Sequence, residues 1–160
     1  MGWCGATWRV GLVWLALATA ASAVCAPDAV ELRWQGGSAR FSVELADTPA
    51  LRELGLMNRA HMASSAGMLF EYQTTEHAHF WMKNTLIPLD MIFADPSGRV
   101  TKVHADAVPN DETPIDGGEN VLYVLEINGG LAKRLGLVAG AEMKSAVMDQ
   151  SLAVWTCAAK

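Results

Sequence analysis

The sequence predicts a mostly β fold of the α+β kind: a small barrel-like or strongly curved antiparallel or mixed sheet with two short helices. Three observations carry this. Apolar residues recur with period 2 in several short runs, turn residues separate the runs, and only two segments have helical spacing. The chain has 160 residues, which suits one domain, and is 51% hydrophobic, enough for a real core.

Val30, Leu32 and Trp34 alternate with Glu31 and Arg33, and Phe41, Val43 and Leu45 alternate with Ser42 and Glu44. Gln35-Gly36-Gly37-Ser38 between them reads as a hairpin turn. Thr48 can cap a helix whose first residue is Pro49, with Leu51, Leu54 and Met57 on one face. Met68-Leu69-Phe70 and Ala78 to Met82 read as two separate strands. Leu89 to Ala94 is a strand apolar on both faces, and Asp95-Pro96-Ser97-Gly98 turns it into Arg99 to His104. Ala107 to Asn120 reads as one long loop, of the kind that is often functional. Val121 to Ile127 is a buried strand. Gly129-Gly130 precedes a short helix at Leu131 to Leu137, and Met143 to Met148 and Leu152 to Trp155 close the domain.

The first residues have another character. Arg9 precedes an unbroken apolar run, Val10 to Ala18, and small residues follow as far as Ala21-Ser22-Ala23. That layout is a secretory signal peptide, so residues 1–23 are expected to be removed and residues 24–160 to form the single domain. The uncleaved alternative is a membrane anchor at the lower length limit of a spanning helix. With cleavage, no stable membrane span remains, and the protein is expected to be exported, periplasmic or extracellular. Losing Arg9 makes the remainder one charge more acidic than the −5 of the whole chain. Its cations are scattered, which excludes a basic footprint for nucleic acid. In an oxidising compartment Cys25 and Cys157 can form a disulfide, whereas a cut after Ala26 would leave Cys157 alone.

Gly55-Leu56-Met57-Asn58-Arg59, Gly67-Met68-Leu69-Phe70 and the run Phe80-Trp81-Met82-Lys83-Asn84-Thr85-Leu86-Ile87-Pro88-Leu89-Asp90 occur in that order. Val124-Leu125-Glu126 and a Gly-Gly before a short helix follow. Together these closely resemble domain-of-unknown-function family 192 (DUF192), also called uncharacterised protein family 0127, over about Val30 to Met148. The resemblance implies a compact, predominantly β, often exported domain and brings no established activity. Gly140-Ala141 stands where members usually place Gly-Asp.

Asp90 and Glu126 lie in apolar strands, where an unpaired charge is costly, so each needs a partner. Arg59 and Lys83 are the candidate cations. Arg59, Lys83, Asn84, Asp90 and Glu126 thus form a candidate polar cluster, readable as a ligand pocket or as a network that pins the fold. Trp81 faces opposite to Phe80 and Met82; if those two take the core, Trp81 is exposed and can stack on a ligand. His77, His79 and Met82 have ligand types that suit copper, with Met82 equally suited to core filling. No metal or other cofactor is assigned, and no catalytic residue.

The leading reading is a non-enzymatic envelope module that binds a small molecule or envelope component. The alternatives are a small hydrolase-like enzyme using Asp90, Glu126 and Lys83, and a periplasmic copper-binding protein.

Overall fold

The computed structural model describes Met1 and residues 25–157; apart from Met1, the expected leader lies outside the described residues. Among the described residues no helix is long and apolar enough to cross a membrane.

Seven strands form one curled sheet: β1 (Ala29–Trp34), β2 (Gly37–Ala46), β3 (Ala66–Phe80), β4 (Leu89–Ala94), β5 (Val100–Ala107), β6 (Ile115–Asn128) and β7 (Glu142–Ser145). Their order across the sheet is β5-β4-β6-β3-β2-β1-β7. Helices α1 (Pro49–Leu54) and α2 (Leu131–Leu135) are both short. The β2–β3 pair is parallel, and α1 sits in its crossover; every other pair is antiparallel. The fold class is as the sequence predicts.

The sheet curls until its two edges meet. Val100 N–H donates to the Ala141 carbonyl, Gly140 N–H to that of Val100, and Met143 N–H to that of Gly98. Edge groups left open would invite pairing with other chains, and this seam satisfies them. Gly98 is required here: it has φ +79, and a Cβ would lie 2.6 Å from the Met143 carbonyl oxygen.

Alternation along the strands divides the core in two. Leu69, Ile92, Leu125 and Ile127 face one cluster with Val30, Leu32, Phe41 and Met143. Met68, Phe70, Met91, Phe93 and Val124 face a second cluster with Leu56 and Met82. The second cluster therefore lies on the other face of the same central strands.

Four local expectations are corrected. Met68-Leu69-Phe70 and Ala78 onward are one 15-residue strand, bent by register shifts between Glu71 and His79. The long loop is shorter than expected, because β6 begins at Ile115 and pairs with the end of β3. Met82 is outside any strand, in a turn. Leu152 to Trp155 makes turns rather than a strand; Trp155 is held there beneath Arg33 and Lys144, whose cations lie 4.4 and 4.3 Å from its ring centroid.

In α1 the Thr48 hydroxyl accepts from Leu51 N–H at 3.3 Å and Pro49 occupies the first turn. The helix nonetheless buries none of its residues; Leu51 and Leu54 are 42% and 53% exposed. Cys25 and Cys157 are joined, with Cα atoms 5.5 Å apart. Cys157 is also held by its own N–H, which donates to the Gln150 side-chain oxygen at 2.7 Å.

A cleft floored by a buried glutamate

The sequence-derived polar cluster does not assemble as one network. Asp90 is fully buried, yet its partners are backbone amides rather than Lys83. One oxygen accepts from Asp106 N–H at 2.7 Å and Gly130 N–H at 2.8 Å, and the other from Ala132 N–H at 2.6 Å. Ionised carboxylates accept such bonds strongly, and these three satisfy the buried charge. Gly129 makes the junction possible: a Cβ there would lie 2.7 Å from the Pro88 Cβ and 2.9 Å from an Asp106 carboxylate oxygen. Asp90 therefore fastens the start of α2 to the β4–β5 pair.

Arg59 pairs with Glu44, its Nη2 donating to Oε2 at 2.6 Å, and this bond holds the Glu44 carboxyl below the usual range. Lys83 is exposed and lies over the Trp81 ring, its Nζ 5.4 Å from the centroid. It makes no ion pair with Asp90 or Glu126, which corrects the expectation that these three groups converge. Asn84 has φ +52, and its carbonyl accepts from Asn58 N–H at 2.8 Å; Asn58 itself has φ 62. Asn tolerates this left-handed region better than other non-glycine residues. The two asparagines thus dock one signature segment on another.

Glu126 is the exception. It is 4% exposed, flanked in register by Met68 on β3 and Met91 on β4. Its Oε2 has no hydrogen-bond partner. Burial without a cation favours the neutral acid and pushes its pKa up to about 8. The group lines a cleft of about 120 Å³ between α1 and the end of β3, shared with Arg52, Phe70, Tyr72, His79 and Trp81.

The walls are built locally. Arg52 Nη1 donates to the carbonyls of Asp47 at 2.6 Å and Glu71 at 2.8 Å, and its guanidinium lies 5.1 Å from the Tyr72 ring centroid. Phe80 stands edge-on to Phe70 and Phe93, with centroids 5.3 and 5.7 Å away. Phe80 and Met82 take the core side, Met82 fully buried, so Trp81 is left 50% exposed at the rim.

His77, His79 and Met82 do not come together as one ligand set. Both histidines are exposed on β3, while Met82 is sealed in the second core. The sequence reading passed over Arg52 and Tyr72 as cleft walls. The available signal was weak: Arg52 lies in the helix of the parallel crossover and Tyr72 on the strand that follows it, and nothing in their spacing announces that they meet.

A family model described as Uncharacterized ACR, COG1430 (DUF192) matches residues 30–145. The chain belongs to this family. Among solved structures, one neighbour is a protein of unknown function from Novosphingobium aromaticivorans DSM 12444. It is 44% identical, with a TM-score of 0.70, covering 72% of this chain and 82% of that one. Another, from Sinorhizobium meliloti 1021 and described as a "putative transcription regulator", is 43% identical with a TM-score of 0.70, covering 76% of this chain and 95% of that one. None of the curated proteins matches the chain.

Proposed function

We propose that this DUF192 domain is a binding module of the cell envelope whose cleft takes a small hydroxyl-bearing ring, such as the terminal unit of a glycan. The observation that carries the reading is the unpartnered, buried Glu126 carboxyl on the cleft floor. A buried polar group without a partner costs free energy, and a ligand hydroxyl would relieve that cost. Near neutral pH the acid is largely protonated, so it can both donate to and accept from a hydroxyl. Trp81 at the rim offers an exposed aromatic face for the apolar side of a ring. A ligand with one stacking face and several hydroxyls matches that combination.

The Cys25–Cys157 bridge supports an oxidising compartment, as does the leader-like start of the chain. N-terminal sequencing of exported protein is expected to begin at Val24; an intact Met1 would contradict export with cleavage. The hydrolase alternative keeps only one of its three groups, Glu126, because the Asp90 carboxylate is fully engaged by backbone N–H groups and Lys83 lies on the surface.

Saturation-transfer NMR with a panel of monosaccharides and their methyl glycosides tests the reading. At least one should receive saturation on its ring C–H protons, Trp81→Ala should abolish the transfer, and Glu126→Gln should weaken it. A panel with no binder at millimolar concentration, or binding indifferent to Trp81→Ala, would overturn it.

A further inference from the structure

A second cluster lies on the exposed face of β3 beside the cleft and shares His79 with it. His77 and His79 are two apart on one strand, so their side chains emerge on the same side. Their rings are 4.4 Å apart between centroids. Strand β6 brings Asp116 into register opposite His79. Gly118 N–H donates to Asp116 Oδ1 at 2.8 Å and fixes the carboxylate's direction. One ligand atom from each of His77, His79 and Asp116 lies within 4.8 Å of the others.

We propose that His77, His79 and Asp116 form a surface site for a borderline divalent transition metal, Zn(II) or Cu(II). The convergence of these three ligand atoms carries the argument, and the contacts of the two imidazoles support it. His77 Nδ1 lies 3.0 Å from Glu119 Oε1, and His79 Nδ1 lies 3.1 Å from the His77 carbonyl oxygen. A carbonyl oxygen can only accept, so His79 Nδ1 must carry that ring's proton. That leaves the His79 Nε2 lone pair free, whereas both nitrogens of His77 face carboxylate oxygens, and a metal ion would take the place of the proton between His77 Nε2 and Asp116 Oδ1. This is the arrangement in which ligating histidines are normally held, with the far nitrogen donating to a carboxylate or backbone carbonyl.

His77 Nε2 already lies 2.9 Å from Asp116 Oδ1. Metal–nitrogen and metal–oxygen bonds near 2.0–2.2 Å place neighbouring donor atoms about 3.4 Å apart in a tetrahedral site. A small opening of that pair and a rotation of the exposed His79 ring therefore suffice. Lys102 Nζ, 3.4 Å from Asp116 Oδ2, neutralises the other oxygen and leaves Oδ1 toward the histidines. Two imidazoles and one carboxylate select against Mg²⁺ and Ca²⁺, which require oxygen donors. Three protein ligands facing solvent leave at least one position open. Because His79 also lines the Trp81 cleft, a bound ion would sit at its edge.

Isothermal titration of the protein with ZnCl₂ and with CuCl₂ at neutral pH, beside MgCl₂ and CaCl₂, tests the site. The expected result is one saturable Zn(II) or Cu(II) per chain and no Mg(II) or Ca(II) binding. His79→Ala and Asp116→Ala should each abolish it with melting temperature unchanged. Glu119→Gln should weaken it about tenfold by loosening His77. Met82→Leu should leave it intact. Absence of saturable Zn(II) and Cu(II) binding, or binding that survives both His77→Ala and His79→Ala, would overturn the proposal.

Discussion

Asp90 on β4 accepts the backbone N–H of Gly130, 40 residues further along the chain, at 2.8 Å. With the bonds from Asp106 and Ala132, that contact makes Asp90 a structural clamp. Asp90→Ala leaves three N–H donors without their acceptor, each costing about 1–3 kcal/mol if it stays buried. Urea denaturation should show a loss of about 3 kcal/mol or more. Asp90→Asn, which keeps one oxygen, should lose less. Lys83→Met should stay within about 0.5 kcal/mol of wild type, since Lys83 is exposed and pairs with neither carboxylate. A large loss from Lys83→Met would show a partner that this account omits.

Gly129 packs against Pro88 so closely that a methyl group has no room. Gly129→Ala is expected to destabilise by about 1–3 kcal/mol through overpacking. Thermal melting checks this; an unchanged melting temperature would mean that the Pro88–Asp106 junction yields freely.

The bridge from Cys25 to Cys157 spans a sequence separation of 132 residues. Chain-entropy arguments put its contribution at up to about 4–5 kcal/mol. Melting of oxidised protein should fall markedly with Cys157→Ser, and reduction of the wild type should produce the same fall. Equal melting of oxidised and reduced wild type would contradict a stabilising bridge.

Glu126 makes stability depend on pH in a direction opposite to a salt-bridged carboxylate. Its pKa in the fold is raised from 4.5 to about 8. Between those values the native state keeps a proton that the unfolded chain releases, so stability is full below about pH 4.5 and is lost as pH rises through about 8. The shift corresponds to a loss on the order of 3–5 kcal/mol. Glu126→Gln cannot ionise and should lack this component. Denaturation of both proteins from pH 5 to 9 should give curves that diverge, with the wild type falling. Parallel curves would mean that Glu126 ionises as freely in the fold as out of it.

Much of the frame was legible from local chemistry. Thr48-Pro49 specified the start of α1, Gln35-Gly36 the first hairpin, and Asp95 to Gly98 the β4–β5 turn, because each depends on neighbouring residues alone. The burial of Asp90 and Glu126 was legible from the apolar strands around them. Their partners were not, because these come from the sheet order: β4 lies beside β6, which brings the Gly129-Gly130 turn to Asp90. Asp116 and Glu119 were hidden for a related reason. Asp116-Gly117-Gly118-Glu119-Asn120 has turn composition, yet β6 already pairs with β3 there, and Gly117 leaves the space that the Phe93 ring occupies. The outward side of Trp81 followed from period-2 reasoning once Phe80 and Met82 were placed in the core, although Met82 gets there from a turn.

The central claim is that Glu126 is a buried acid without a partner on the floor of the cleft. NMR titration of its side-chain carboxyl carbon, assigned by comparison with Glu126→Gln, tests this most directly. The account predicts a midpoint near 8. A midpoint near the ordinary 4.5 would mean that the carboxyl is solvated or paired, and would contradict the claim.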